Sequence, residues 1–284
     1  MPLLFYWRHD NYVQDLDDGA GYHLNSKRAV LHEVERGDSV WAVTRRPDDA
    51  YVLAAELIVH STTHNRPGYE YGPYRVWGHV GQSRYFALDG QPGCESLIRS
   101  LSVKTTADRL YHSFQGPGSV RRLTEKDHRT LAAAADNLPE EPRATLLPEE
   151  ALETALYRRD RASVTGLVRE ADHGLSADRR RTITREVPER NRELVQRLQT
   201  VYDGHCQICR WDPVGEYGEP LCEGHHIQWL SRGGDDALDN LMLVCPNHHR
   251  AIHRCDAPLD WGDLALDFGA HREEVALDEH LIAE

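Results

Sequence analysis

The spacing of cysteine and histidine residues in the last third of the chain constrains its fold more than any other feature. Cys206 and Cys209 are separated by two residues, and Cys245 and His248 repeat this spacing about 35 residues later. Two such pairs can bind one ion tetrahedrally, and a Cys3His set of this kind suits zinc. Because a segment this short has too little core to hold its shape alone, we expect a structural zinc ion to supply folding free energy.

The remaining cysteines, Cys94, Cys222 and Cys255, have no partner at this spacing. Each is predicted to be a small buried residue on a strand. Five of the six cysteines lie within fifty residues, and in a reducing compartment such clustering favours metal binding over disulfides. The chain has neither a signal-peptide pattern at its start nor an apolar stretch long enough to span a bilayer. We therefore expect a cytoplasmic protein with no membrane partner.

A second group of histidines is interleaved with the zinc ligands. His249 and His253 are four residues apart, so they share one face of a predicted helix. Together with His225 at the end of a predicted strand, they can bind one divalent ion and leave positions open for phosphate oxygens and water. His226 follows His225, so in an extended segment its side chain points the other way. This placement suits a general base that the metal does not hold, and Asn240 is expected to hydrogen-bond across the preceding loop and orient that base.

The segment from about residue 190 to 254, including the Gly233–Gly234 loop, resembles the HNH (ββα-metal) endonuclease family. The resemblance implies that His226 is the general base, while Asn240 supplies the asparagine and His249 the last histidine of the family name. His225 and His253 stand where family members carry further metal ligands. The implied reaction is one-metal hydrolysis of a phosphodiester bond, with Mg²⁺ or Mn²⁺ as the catalytic ion and 5′-phosphate on the products.

Two details of the sequence bear on this resemblance. His248 replaces the fourth cysteine that is commoner in the family's zinc set, which leaves zinc plausible and puts its affinity in question. An arginine near the site is expected to clamp phosphate, and Arg232, Arg250 and Arg254 are the candidates.

The first 130 residues are rich in predicted strands, among them residues 40–44, 51–59 and 75–80. Residues 26–34 are predicted to form a short helix, and residues 123–138 a helix capped by Thr124 and Asp127. This part of the chain resembles the PUA superfamily, in particular its EVE and SRA-like readers, which are small β-barrels with an aromatic pocket for an extruded base. The resemblance implies a base pocket, and its predicted residues are Trp7, Tyr22, Asn25, Ser26 and Trp41.

The predicted fold class is α+β, with an N-terminal PUA-like β-barrel flanked by helices, a helical linker and a C-terminal zinc-stapled ββα-metal domain. Helices are predicted within residues 149–172 and 188–202 of the linker region and its continuation. The predicted domains are a modified-base recognition domain at 1–138, a linker with a helical segment at 139–187, an HNH endonuclease domain at 188–256 and an acidic C-terminal segment at 257–284.

The charge distribution limits how such a chain can bind nucleic acid. The net charge is −13, but residues 158–210 hold 12 arginines against 8 acidic residues. Arginine is the better bidentate partner for phosphate and guanine, although a GC-rich genome explains the excess of arginine over lysine equally well. Residues 1–135 are balanced in charge, so their affinity for DNA must rest on a local patch.

These features lead to one main hypothesis and two alternatives. The main one is a restriction endonuclease that cuts double-stranded DNA containing modified cytosine (5-methylcytosine or 5-hydroxymethylcytosine). In the first alternative, sequence, DNA structure or a phosphorothioate backbone directs the same nuclease. In the second, the protein is a non-catalytic, zinc-stabilised DNA-binding module. Because cutting both strands needs two active sites or one that re-engages, we also expect a homodimer through the helices between residues 149 and 202.

Overall fold

The computed structural model describes residues 1–17, 23–141, 148–170 and 177–282. Its chain divides into two compact units, the first formed by residues 1–16 and 21–143 and the second formed mainly by residues 144–284. The architecture is mixed α+β, as the sequence predicts. In the part of the chain that is described, no helix combines the length and apolar character needed to cross a membrane.

The first unit is built on a curled sheet of seven strands. The strands are β1 (Leu3–Tyr6), β2 (His23–Ser26), β3 (Ser39–Arg45), β4 (Tyr51–His64), β5 (Tyr74–Gly78), β6 (Arg84–Tyr85) and β7 (Val120–Arg122). Their order is β2-β5-β4-β3-β1-β7, with β6 beside β4. The long strand β4 pairs with β3 along its first half and β5 along its second, with a register shift in each pairing. Such shifts bend a strand and increase its twist, so the sheet curls into a half-barrel.

Short helices close this sheet. They are α1 (His9–Asp17), α2 (Glu95–Ser100) and α3 (Glu125–Ala135), with 3-10 turns at Ala29–Glu33, Leu110–Phe114 and Gly116–Gly118. The core beneath them holds Trp41, Phe86, Ile98, Leu110 and Leu131, all fully buried. The helix predicted over residues 26–34 was wrong in type, since Ser26 ends β2 and only a 3-10 turn follows.

The capping box at the start of α3 is present as predicted. The Thr124 hydroxyl accepts from the Asp127 amide, and the Asp127 carboxylate accepts from the Thr124 amide. The same carboxylate also accepts from the amide and hydroxyl of Ser102. Burial raises the pKa of Asp127, but these hydrogen bonds outweigh it and lower the pKa to about 2. Asp127 therefore links α3 to the segment after α2.

Replacing Asp127 with asparagine is expected to lower the free energy of unfolding by about 1–3 kcal/mol, because buried donors lose a charged acceptor. The folded pKa of about 2 lies below the ordinary 3.8. The stabilisation is therefore complete above pH 3.8 and is lost as the pH falls toward 2. Urea titrations at several pH values measure the difference between wild type and Asp127→Asn. Glu125→Gln, an exposed position of the same first turn, is the control, and a difference that stays constant with pH contradicts the prediction.

The second unit contains the cysteine and histidine cluster. Its helices are α4 (Glu149–Tyr157), α5 (Arg161–Glu170), α6 (Ala177–Arg181), α7 (Val187–Val201), α8 (Pro213–Tyr217), α9 (Pro246–Cys255) and α10 (Glu279–Ile282), with a π-helical turn at Thr182–Glu186 and 3-10 turns at Leu230–Arg232 and Leu238–Asn240. Its strands are β8 (Glu223–His226), β9 (Leu241–Val244), β10 (Leu259–Asp260), β11 (Ala265–Asp267) and β12 (Arg272–Glu274). Strands β8 and β9 form an antiparallel hairpin, and α9 follows β9 directly, which is the ββα order.

One apolar core holds this unit together. Leu198 of α7, Leu243 of β9 and Ile252 of α9 are buried in it. Apolar residues from the acidic C-terminal segment, including Leu266 and Leu281, are buried in the same core. Strands β10, β11 and β12 form a small antiparallel sheet, so the described part of this segment is an ordered portion of the second unit.

Candidate functional site

The four predicted zinc ligands converge in the structure. One ligand atom from each of Cys206, Cys209, Cys245 and His248 lies within 4.8 Å of every other. The His248 Nδ1 atom is 3.2 Å from the Cys245 sulfur and 3.7 Å from the Cys206 sulfur. Ligands at bond lengths of about 2.0–2.3 Å around one tetrahedral zinc ion are separated by distances of this order. The donor set therefore fits zinc, and the four residues that the sequence spacing grouped lie together.

The local backbone explains how Cys245 comes to be a good ligand. It caps the N-terminus of α9, where its sulfur accepts from the His248 amide at 3.5 Å. A hydrogen bond from Cys206, reinforced by His248, lowers the pKa of Cys245 to about 3. A thiolate is the form that binds metal, whereas the same contact with Cys245, together with burial, raises the pKa of Cys206.

Glu273 of β12 contacts the far side of His248. Its Oε2 atom is 2.8 Å from His248 Nε2, so the imidazole can donate to the carboxylate while Nδ1 faces the cysteines. This contact fixes the ring orientation and the tautomer of a metal-binding histidine. Sequence analysis did not find Glu273, because it lies in the acidic C-terminal segment with no ligand spacing to mark it.

Replacing Glu273 with glutamine is expected to weaken zinc binding by about tenfold, since loss of such an outer carboxylate typically reduces metal affinity 10–100-fold. Competition against a chromophoric chelator measures the affinity. Glu274→Gln, an exposed neighbour on the same strand, should behave as wild type. Equal zinc affinities for Glu273→Gln and wild type would show that the contact has no influence on the ion.

The other cysteines do not belong to this group of four ligands, although Cys222 is close enough to Cys245 and Cys209 to interact with them electrostatically. Cys222 is fully buried in the core of the second unit, and Cys94 is buried at the start of α2. Cys255 is exposed at the end of α9, so the prediction that it is buried was wrong. None of the three lies on a strand. Hydrophobic surroundings raise the pKa of Cys94 to about 12, which makes it an inert core residue.

A second cluster forms where β8 meets α9. Nitrogen atoms of His225, His249 and His253 and a carboxylate oxygen of Glu153 lie within 4.8 Å of one another. The Nε2 atoms of His249 and His253 are 3.2 Å apart. Glu153 Oε2 is 2.6 Å from His249 Nε2, 2.8 Å from His253 Nε2 and 3.1 Å from His225 Nδ1. Imidazole and carboxylate donors at this spacing fit a divalent ion.

The β8–β9 hairpin positions His225, and helix α9 positions His249 and His253. Strand β8 places His225 opposite Met242 and His226 opposite Leu241 of β9. One turn of α9 separates His249 from His253, so both face β8. The Nδ1 atom of His249 is 2.6 Å from Glu223 Oε2, and this hydrogen bond leaves Nε2 directed at the cluster. His225, His249 and His253 therefore lie together, as expected from their spacing in the sequence.

Glu153 is the residue that sequence analysis missed. It lies on α4, more than 70 positions before the nearest of these histidines, in an acidic stretch that otherwise marks solvent-exposed residues. Its side chain is 2% exposed. Burial raises its pKa, but the neighbouring histidines, His225 above all, outweigh that effect and hold the pKa well below its usual range. A buried, ionised carboxylate needs positive partners, and this one contacts four imidazoles.

His226 lies beside this cluster and has a separate set of contacts. Its Nδ1 atom is 2.7 Å from Glu153 Oε1, and its Nε2 atom is 3.1 Å from Asp236 Oδ1. The ring is fully buried, in contrast to the expectation of a side chain turned away and free to meet water. The alternation of side chains along a strand does not predict that one carboxylate, that of Glu153, contacts both His225 and His226. Burial lowers the pKa of His226, but Asp236 and Glu153 outweigh it and raise the pKa to about 10.

Asn240 spans the loop that joins β8 to β9. Its Oδ1 atom accepts from the Gln228 amide at 2.8 Å. Its Nδ2 atom donates to the carbonyls of Gln228 and Asp235, at 2.9 and 2.7 Å. These bonds cross the loop, and the backbone carbonyl of Asn240 also accepts from Ile227. Its side chain therefore fixes the loop that carries Asp236, a partner of His226.

The three candidate arginines differ in their surroundings. Arg232 is buried, pairs with Asp256 through two hydrogen bonds of 2.7 and 2.8 Å, and lies over the Trp229 ring. Arg250 and Arg254 are mostly exposed and lie 3.4 and 3.9 Å from Glu150 on α4. The two α9 arginines are therefore the better placed of the three to meet a phosphate.

The predicted base-pocket residues occupy varied positions in the first unit. Trp41 is fully buried and donates to His128, and Trp7 is buried and donates to Asp15. Asn25 accepts from Asn65 and Arg75. Ser26 is also buried and accepts from the Arg28 amide. Tyr22 lies outside the described residues. As they stand, Trp7 and Trp41 present no open ring face, so the pocket assignment stays a prediction.

Comparisons with known proteins agree with the second unit. Residues 206–254 match the family model described as HNH endonuclease. The chain is 32% identical over 90 residues to "Type IV methyl-directed restriction enzyme EcoKMcrA" of Escherichia coli (strain K12), covering 26% of this chain and 32% of that relative. It is 24% identical over 78 residues to "Anaredoxin" of Nostoc sp. (strain PCC 7120 / SAG 25.82 / UTEX 2576), covering 28% of this chain and 95% of that protein.

Among solved structures, the "Modification dependent TagI restriction endonuclease" aligns with 92% of this chain and 70% of its own, at 11% identity and a TM-score of 0.22. The chain thus spans about a third of the length of the Escherichia coli relative. Together with the ββα order and the histidine cluster, the family match shows that the second unit contains a C-terminal HNH endonuclease domain.

Proposed function

We propose that this protein is a metal-dependent endonuclease that cuts double-stranded DNA carrying modified cytosine. The observation that carries the nuclease assignment is the convergence of His225, His249 and His253 on one point, with His226 next to it. Two observations support modified cytosine: the Escherichia coli relative is a methyl-directed restriction enzyme, and the first unit resembles base-reading domains.

The three imidazoles would hold a divalent ion, which would supply positive charge to stabilise the negative charge that develops on the phosphate and on the leaving 3′ oxygen. His226 is the proposed general base. In the structure its Nε2 atom faces Asp236, so the proposal requires this contact to open. The ring then takes a proton from the attacking water as the new bond to phosphorus forms and the bond to the 3′ oxygen breaks, leaving phosphate on the 5′ end. Arg250 and Arg254 are exposed on α9 and supply positive charge to the DNA backbone.

For His226 to accept that proton, it must be neutral. The two carboxylates that raise its pKa favour the protonated ring, whereas a nearby divalent cation lowers the pKa of an imidazole. A cation bound by the neighbouring histidines would also offset the negative charge of Glu153, which otherwise raises the pKa of His226. The proposed role of His226 as a base therefore requires a bound metal ion.

A digestion panel tests the substrate assignment. The full-length protein is incubated with unmodified, 5-methylcytosine and 5-hydroxymethylcytosine versions of one DNA duplex, in Mg²⁺ or Mn²⁺. We expect cleavage of at least one modified duplex and sparing of the unmodified one. Equal cleavage of all three contradicts the modified-base assignment, and no cleavage of any contradicts the nuclease assignment.

The burial of Trp7 and Trp41 favours keeping a second candidate. In it, the same nuclease is directed by sequence, by DNA structure or by a phosphorothioate backbone. Equal cleavage of the three duplexes above, combined with selective cleavage of a phosphorothioate duplex or of one sequence, supports this second candidate.

We also propose that the protein acts as a homodimer, because one site cuts one strand at a time. The native mass of the full-length protein, with and without duplex DNA, tests this. A mass of one chain in both conditions contradicts it.

A further inference from the structure

Glu153 lies outside the segment that matches the HNH family and comes from a helix that precedes it by some fifty residues. Helix α4 contacts β8 and α9, and Glu149, one turn before Glu153, accepts from the amides of Leu230 and Ser231. These bonds hold α4 against the loop that follows β8. The packing of α4 and the hydrogen bonds of Glu149 thus fix the position of the Glu153 carboxylate within the second unit.

The distances distinguish two roles for the Glu153 oxygen, that of a hydrogen-bond acceptor among three nitrogens and that of a fourth ligand beside them. If the oxygen only accepted hydrogen bonds from three nitrogens, each about 2.8 Å away, those nitrogens would surround it and lie well over 4 Å from one another. Here the Nε2 atoms of His249 and His253 are only 3.2 Å apart. The oxygen lies 2.6–3.1 Å from the three nitrogens, so all these separations are similar. Four ligands around one ion, with bonds of about 2.0–2.2 Å, have separations of this kind.

We propose that Glu153 is a fourth protein ligand of the catalytic ion and that its second oxygen links this ion to His226. The inference rests on the proposed function for the identity of the ion's site. Oε2 of Glu153 faces the ion, while Oε1 accepts from the His226 amide and from His226 Nδ1, both at 2.7 Å. One carboxylate therefore sets the distance between the metal and the residue proposed to take the proton.

This ligand set also selects among metals. Three imidazoles and one carboxylate fill a tetrahedral shell, and a hydrolytic site needs an open position. An ion that accepts six ligands keeps two positions for water and a phosphate oxygen. The fourth ligand therefore favours catalysis by an ion such as Mn²⁺, while an ion that prefers four ligands must expand its shell to bind the substrate.

Binding of Mn²⁺ to the zinc-loaded full-length protein tests the proposal without reference to cleavage. The electron paramagnetic resonance signal of free Mn²⁺ is followed during titration of wild type, Glu153→Gln and Glu150→Gln. We expect Glu153→Gln to weaken Mn²⁺ binding by about tenfold or more. Glu150, three residues away, is partly exposed and pairs with Arg250 and Arg254, so Glu150→Gln should stay within about twofold of wild type.

Two further measurements guard against misfolding of the variant. Glu153→Asp keeps the charge but shortens the reach, and its Mn²⁺ affinity should fall between those of wild type and Glu153→Gln. A crystal structure of the wild-type protein with Mn²⁺ should show an oxygen of Glu153 bonded to the ion. Unchanged or tighter Mn²⁺ binding by Glu153→Gln, or an ion without Glu153 in its shell, overturns the proposal.

The same measurements separate this inference from the proposed function. If Mn²⁺ binding depends on Glu153 but no DNA is cut, the ligand assignment stands and the nuclease assignment fails. If DNA is cut and Mn²⁺ binding ignores Glu153, the nuclease stands and the fourth ligand fails. A wild-type protein that binds no Mn²⁺ overturns the fourth-ligand proposal, and the nuclease assignment then depends on the digestion panel in Mg²⁺.

Discussion

Replacing His226 with glutamine is expected to slow DNA cleavage by about two to four orders of magnitude, the usual contribution of a general base. Glutamine can still hydrogen-bond to Glu153 or Asp236, the two partners of the wild-type ring, but it cannot take a proton at neutral pH. Since His226 lies outside the set of three imidazoles proposed to bind the catalytic ion, Mn²⁺ affinity should change far less than the cleavage rate.

Single-turnover cleavage and Mn²⁺ titration on the same preparations measure the two effects. His225→Gln, which removes a ligand instead of the base, should lose Mn²⁺ affinity as well as activity. His205→Gln is a control in the same unit, because His205 contacts Tyr202 and Asp212 but neither metal cluster. Full activity of His226→Gln would assign the proton transfer to another group. Loss of metal binding in parallel with activity would make His226 a structural residue.

Local spacing predicts the parts of this site that are close in sequence. The pairs Cys206–Cys209 and Cys245–His248 each fix two ligands through one short turn, and one helical turn fixes His249 relative to His253. Adjacent positions on β8 fix His225 and His226. These relations survive in the structure because a strand, a knuckle and a helix impose them whatever surrounds them.

Residues that reach the site through tertiary packing left no such signal. Glu153 arrives on α4 and Glu273 on β12, and both belong to acidic stretches that are usually solvated. Glu153 is buried because α4 packs on β8 and α9, and Glu273 is half-buried where it contacts His248. No periodicity in the sequence encodes either arrangement. The same limitation explains His226, whose buried contacts with Glu153 and Asp236 depend on residues 73 and 10 positions away.

The first unit shows how composition predicts strands but not a pocket. Strands β3, β4 and β5 were located from β-branched and aromatic residues, and the Thr124–Asp127 cap from its spacing. Aromatic residues serve a core and a binding surface equally well, so composition alone could not decide between these roles for Trp7 and Trp41. The structure places both in the interior.

Zinc is expected to determine whether the second unit folds at all. Structural zinc contributes about 10–16 kcal/mol in zinc-finger peptides at neutral pH, as much as the whole stability of an ordinary domain, about 5–15 kcal/mol. The ligands connect the turn before α8, the end of β9 and the start of α9, so losing the ion separates the elements that carry His225, His249 and His253. Both metal sites should therefore fail together when zinc is lost.

Two exposed cysteines provide a matched test, because neither supports the core through its side chain. Cys209 is a predicted zinc ligand, whereas Cys255 belongs to none of the clusters of possible metal ligands among the described residues. Cys209→Ser should lose its zinc, and the amides of β9 and α9 should then exchange hydrogen as rapidly as those of an unfolded chain. Cys255→Ser should retain about one zinc per chain and exchange like wild type. Atomic emission and hydrogen exchange measure both properties. A zinc-free Cys209→Ser protein whose β9 amides stay protected would mean that the apolar core of Leu198, Leu243 and Ile252 suffices to hold the catalytic histidines in place.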